Sequence, residues 1–241
     1  MKKTPADIII YILVILLVLV TIAQVYVYGF TEEWKAEMSE SFYGNWAVVI
    51  FSAALLSIFF LAFLKPLKKR NWREFGITEA YIIALFTEMF GIPLTIYLLT
   101  SVAGYNIGFS GFEGHLWATM LANLGILPLE SGVALVMVTS TILIGTGLIL
   151  MAVGWREVYF SEGRLVVTGL YSRVRHPQYT GFILVLIGFL IQWPTIITLI
   201  MFPFLVYMYY RLAKREEREM IERFGEEYRE YIRRTRMFLP F

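Results

Sequence analysis

Apolar residues run through this chain in long, nearly unbroken blocks, not in the alternating or one-sided patterns of water-soluble strands and helices. Blocks at about residues 8–30, 46–64, 80–99 and 133–153 are each long enough to cross a bilayer as a helix. A further apolar stretch, 180–210, is interrupted by Gln192-Trp193-Pro194 and reads as two helices joined by a turn, the first rather short. The pattern predicts an all-α, polytopic membrane helical bundle with about six transmembrane helices, five being the other count. The first block follows Lys2 and Lys3 as a signal peptide would, but it is long and lacks a small-x-small cleavage site, so it reads as the first span. Residues 111–128 are too short and interrupted to span, and read as an amphipathic connector on the outer surface, with a lid or re-entrant turn as the alternative. Beyond Arg211, the spacing of Met220, Ile221, Phe224, Tyr228, Tyr231 and Ile232 predicts a C-terminal interfacial helix.

Charge orients this bundle. Under the six-span count, 20 of the 21 Lys and Arg residues fall on one side: in the N-terminus, residues 65–73, residues 156–175 and the tail from Arg211. Only Lys35 lies opposite, in a segment that also carries Glu32, Glu33, Glu37 and Glu40, and residues 101–128 hold no Lys or Arg. Basic residues collect on the cytoplasmic side of membrane proteins, so the protein is expected to be multi-pass with both termini cytoplasmic.

Composition agrees: 58% of the 241 residues are hydrophobic and 17% charged, against roughly half and a quarter in soluble domains. There is no cysteine and the two histidines are His115 and His176, so no disulfide framework, thiolate centre or other metal site is expected. A net charge of +2 gives no reason to expect nucleic acid as a partner. The expected partners are the lipid bilayer and a hydrophobic or lipid-like small molecule.

The polar residues that suggest chemistry flank the 180–210 hairpin. If that hairpin crosses and returns, Arg175 and His176 come back to the same membrane face as Glu216 and Glu217. Such a bipolar pocket suits a zwitterion carrying both a carboxylate and an ammonium, and the methionine part of S-adenosylmethionine is one. Arginine holds a carboxylate through a planar fork, glutamate accepts from an ammonium or ribose hydroxyls, and Tyr171 and Tyr179 offer aromatic faces to an adenine or a sulfonium.

The elements Gly169-Leu170-Tyr171, Arg175-His176-Pro177-Gln178-Tyr179, a hydrophobic hairpin, Glu216-Glu217, and Phe224-Gly225 with Tyr228 and Tyr231 occur in that order and end at Pro240. This stretch of about 70 residues resembles the C-terminal signature of the isoprenylcysteine carboxyl methyltransferases and related phospholipid N-methyltransferases. The resemblance implies a methyltransferase whose S-adenosylmethionine pocket lies at the cytoplasmic surface, carried by Arg175, His176, Tyr179, Glu216 and Glu217. It also aligns Gly145-Thr146-Gly147 with a Gly-x-Gly of the phospholipid enzymes, although small residues in a membrane helix also serve close helix packing.

Three further readings complete the picture. Arg211, at the membrane end of the last span, is a candidate to hold an anionic group of the methyl acceptor. Glu88, inside the third block where a charge is costly, either lines the acceptor cavity or pairs structurally. Residues 1–130 lack the signature and are a possible acceptor-selecting part, while 131–241 form the methyltransferase core. The competing functions are a small membrane transporter or scaffold, and a membrane reductase using NADPH.

Overall fold

A computed structural model describes residues 45–51, 53–54, 72–91, 94–103, 115–161 and 163–238. The expected first span lies outside them, as does most of the second, of which residues 46–51 are helical. The remaining helices are α1 (Trp72–Phe90), α2 (Leu94–Ala103), α3 (Leu116–Asn123), α4 (Leu129–Tyr159), α5 (Pro177–Gln192), α6 (Ile196–Phe224) and α7 (Glu226–Arg234), with a 3₁₀ turn at Gly169–Ser172. The fold is all-helical as expected; among the described residues the sole β contact is an isolated parallel bridge between Val174 and Arg236. Among the described residues two helices, α4 and α6, are long and apolar enough to cross a membrane, and α5 is a shorter apolar helix of 16 residues.

The block expected as one continuous span at 80–99 is divided: α1 ends at Phe90 and α2 starts at Leu94. The sequence places Gly91 and Pro93 there, and a proline inside a helix removes a backbone hydrogen bond and crowds the preceding turn. Glu88 serves this break. Its Oε2 accepts from the N–H of Thr95 at 3.0 Å, while Thr95 Oγ1 accepts from the N–H of Ile196 at 3.0 Å. Both amides lie in the first turns of helices, where no carbonyl of the same helix is available. Of the two roles weighed for Glu88, this geometry supplies the structural one.

The expected break in the 180–210 stretch is where the sequence puts it, with α5 ending at Gln192 and α6 beginning at Ile196. Thr195 and Thr198 cap each other at the start of α6. The N–H of Thr198 donates to Thr195 Oγ1 at 3.0 Å and the N–H of Thr195 to Thr198 Oγ1 at 3.2 Å, the reciprocal arrangement of a capping box.

The described residues fall into two compact units. One comprises 138–189 and 206–238. The other comprises the described residues of 45–137 together with 190–205. In the latter, the expected connector contains α3, whose Ala118 is wholly buried against Val133 and Val136. Trp117 Nε1 donates to the carbonyl of Leu190 at 2.9 Å, and the His115 ring stacks on Trp193. Burial first, offset in part by a backbone contact with Gln192, brings His115 down to about 4, so it stands neutral. The connector is thus tied to the end of α5 by the Trp117 ring N–H and to the turn after it by the His115–Trp193 stack.

Candidate active site

Every element of the site belongs to the unit of residues 138–189 and 206–238. Its base is the close approach of α4 and α5. A Cβ on Gly147 would lie 2.4 Å from the Gly181 carbonyl oxygen, and one on Gly181 would lie 2.5 Å from that of Gly147. Gly147 is filled by helix packing, and Gly145 is buried on the same helix.

The chain leaves α4 and turns at Gly169, whose φ of +64° favours glycine, and where a Cβ would strike the Glu157 carboxylate. Glu157 Oε2 accepts from the N–H of Leu170 at 3.2 Å. The turn buries Tyr171 in an apolar cluster with Tyr228 and Tyr231, and Tyr231 donates its hydroxyl to the Tyr171 carbonyl at 2.6 Å. The apolar face of α7 is therefore taken up by the protein's own turn, and its charged face is what remains exposed.

Residues 174–176 then lie beside the C-terminal tail. The N–H of Arg175 donates to the Arg236 carbonyl at 2.8 Å and that of His176 to the Met237 carbonyl at 3.1 Å. Pro177 opens α5 at the first helical position, where its missing N–H costs nothing.

On α6, Tyr209, Ala213 and Glu217 are buried at intervals of four residues, one stripe of a helix that ends in a carboxylate. Glu217 Oε1 accepts from Arg175 Nε at 2.7 Å and stands 3.5 Å from His176 Nε2, while Oε2 is 3.2 Å from Lys214 Nζ. Glu217 sits on the charged end of α6, past its apolar stretch. Burial alone would raise its carboxyl, but His176, Arg175 and Lys214 outweigh burial and bring it down to about 2. Burial likewise disfavours the charged form of His176, yet the contacts with Glu216 and Glu217 outweigh it and hold the imidazole above the ordinary histidine value.

Glu216, one residue earlier, is placed differently because successive helical positions point about 100° apart. Its side chain is 35% exposed, Oε1 accepts from the Tyr179 hydroxyl at 2.5 Å, and Oε2 is 3.6 Å from His176 Nδ1. The Tyr179 ring stacks on His176 at 5.6 Å and meets Tyr209, which in turn contacts Phe182. The sequence pairs the two glutamates as equals; in the structure Glu217 is buried against Arg175, Lys214 and His176, whereas Glu216 is partly exposed beside Tyr179 and His176.

Arg175, His176, Tyr179, Glu216 and Glu217 are thus brought together from positions some 40 residues apart. Arg211 is exposed, its guanidinium 6.0 Å from the Tyr207 ring centroid, and lies off the stripe that carries Glu217. Glu88 belongs to the other unit. Sequence reasoning missed Phe182, Tyr209, Lys214 and the tail at 236–238; the four-residue spacing from Tyr209 to Glu217 was a signal available for one of them.

Residues 133–222 match the family model described as the isoprenylcysteine carboxyl methyltransferase family. Protein-S-isoprenylcysteine O-methyltransferase B of Arabidopsis thaliana is 27% identical over 160 residues, covering 65% of this chain and 76% of that protein. Protein-S-isoprenylcysteine O-methyltransferase of Saccharomyces cerevisiae is 37% identical over 82 residues, 34% of each chain, so this match spans about a third of the yeast protein. No solved structure matches. Helices long and apolar enough to cross a membrane and relatives named methyltransferases together point to the class of membrane methyltransferases. The part that resembles the isoprenylcysteine carboxyl methyltransferase family, residues 133–222, holds α5, both glutamates and the Arg-His-Pro turn.

Proposed function

We propose that this protein transfers a methyl group from S-adenosylmethionine to a carboxylate on a hydrophobic acceptor, with a prenylated cysteine as the leading candidate. The observation that carries the proposal is the cluster of Arg175, His176, Glu216 and Glu217 inside a segment matched by methyltransferases. The names of the two relatives support the acceptor class, and the long apolar helices α4 and α6 suit a molecule already partitioned into lipid.

The residues present fit such a cofactor. His176 Nε2 is buried without a hydrogen-bond partner, the Glu216 carboxylate beside Tyr179 and His176 is partly exposed, and Tyr179, Tyr209 and Phe182 supply aromatic faces. When bound, the cofactor supplies an electrophilic methyl carbon on a positively charged sulfur. Glu216 is placed to accept from an ammonium or from ribose hydroxyls, and the rings to cover an adenine or attract a sulfonium. A carboxylate acceptor arrives deprotonated, so the chain's task is to align it and to exclude water.

The proposed setting is a multi-pass protein of five or six spans, with both termini and the site on the cytoplasmic side. The one-sided distribution of Lys and Arg supports it. Residues 1–130 are proposed to select the acceptor.

The test is calorimetric titration of the detergent-purified protein with S-adenosylhomocysteine, beside a Glu216→Ala variant chosen because Glu216 is not the buried partner of Arg175. Saturable binding that Glu216→Ala weakens supports the site; no binding to a demonstrably folded wild type refutes the reading. Methyl transfer to N-acetyl-S-farnesylcysteine, absent with unprenylated N-acetylcysteine, then tests the acceptor class.

A further inference from the structure

The Arg175 guanidinium is engaged by the protein itself. Nε donates to Glu217 Oε1 at 2.7 Å, and Nη1 donates to the carbonyl of Ile232 at 3.2 Å and to that of Thr235. Both carbonyls belong to the last turn and cap of α7, where a helix leaves acceptors without internal partners. The tail continues from there along 174–176 through the two backbone bonds to Arg236 and Met237, and Thr180 Oγ1 donates to the Phe238 carbonyl at 2.8 Å. This course sets the Phe238 ring 6.0 Å from the His176 ring. A two-point grip on a ligand carboxylate needs one edge of the guanidinium free. Here the Nε edge is held by Glu217 and Nη1 by the tail.

We propose that Arg175 is a positioning residue that clamps the C-terminal tail, so that residues 236–238 form a wall of the cofactor site and Phe238 backs His176. The role rests on the cofactor reading above but assigns Arg175 to the protein's own tail in place of the cofactor's carboxylate. One side chain then couples three things: the charge on Glu217, the end of α7, and the backbone that presents His176. Lysine cannot replace it, because a single ammonium can pair with Glu217 but cannot also span to two tail carbonyls.

The test uses the full-length protein in detergent, an Arg175→Lys variant, a chain ended after Arg236, and the two combined. Neither change removes the positive charge beside Glu217, so folding is expected to survive, and a melting curve verifies it for each. Each single change is expected to weaken S-adenosylhomocysteine binding about tenfold or more, as for loss of a hydrogen bond to a charged group. The combination is expected to be no weaker than the worse single, because both changes release the same tail. Amide hydrogen exchange reads the clamp without any cofactor: protection of the His176 N–H should fall in all three variants. Multiplied binding losses with His176 still protected in Arg175→Lys would place Arg175 on the ligand and overturn the proposal, as would wild-type binding by the shortened chain. If the wild type binds no S-adenosylhomocysteine, the cofactor reading fails, and unchanged exchange in Arg175→Lys would separately sink the clamp.

Discussion

Arg175 and Glu217, 42 positions apart in sequence, meet at 2.7 Å with their side chains 7% and 4% exposed. A pair this deeply buried is weak evidence for net stability while both partners are present, but removing one leaves an uncompensated charge in a place water cannot reach.

Glu217→Ala is therefore expected to destabilise the protein by about 3–5 kcal/mol. Glu216→Ala, at a half-exposed position, should cost about 1 kcal/mol or less while weakening cofactor binding. Thermal melts of the two variants in the same detergent check the contrast; equal losses would show that the two glutamates are not divided as the geometry places them.

The cluster also predicts a pH dependence. In the folded state the Glu217 carboxyl is held down at about 2, below its ordinary value of 4.5, so its contribution to stability is complete above pH 4.5 and is lost as pH falls toward 2. His176 is shifted the other way, above 6.5, so its contribution is complete below pH 6.5 and fades as pH rises through the folded value. The two overlap fully between about pH 4.5 and 6.5. The melting-temperature gap between wild type and His176→Gln should be widest in that window and narrow as pH rises above it; a gap that widens with pH would contradict the pairing of His176 with Glu216 and Glu217.

Gly147→Ala would drive a Cβ into the Gly181 carbonyl. Pushing α4 from α5 in this way is expected to cost on the order of 1–3 kcal/mol. A melt reads this directly. An unchanged melting temperature combined with a raised KM for S-adenosylmethionine would instead assign Gly147 to the cofactor.

At Glu88 the amide analogue separates the two roles. Glu88→Gln keeps an acceptor for the Thr95 N–H and should leave stability nearly intact, whereas Glu88→Ala leaves that amide unpaired at a cost of about 1–3 kcal/mol. Activity lost in Glu88→Gln without a change in melting would restore the acceptor-side role.

Much of this was readable along the chain, for physical reasons. A bilayer demands long apolar helices with internally satisfied backbones, so α4, α6 and the break at Gln192-Trp193-Pro194 are written in local hydropathy and in a proline's missing N–H. The ordered signature from Gly169 to Pro240 likewise marked Arg175, His176, Tyr179, Glu216 and Glu217, because those residue types in that order are visible without coordinates. Local pattern could not divide labour among them. The difference between Glu216 and Glu217 comes from which side of α6 meets α5. The engagement of Arg175 comes from where the α7 tail returns, and the role of Glu88 from two helix starts, Thr95 and Ile196, that lie 101 positions apart. Burial, the satisfaction of orphan backbone groups and the balance of desolvation against pairing are properties of neighbours in space, so they exist only once the chain has folded.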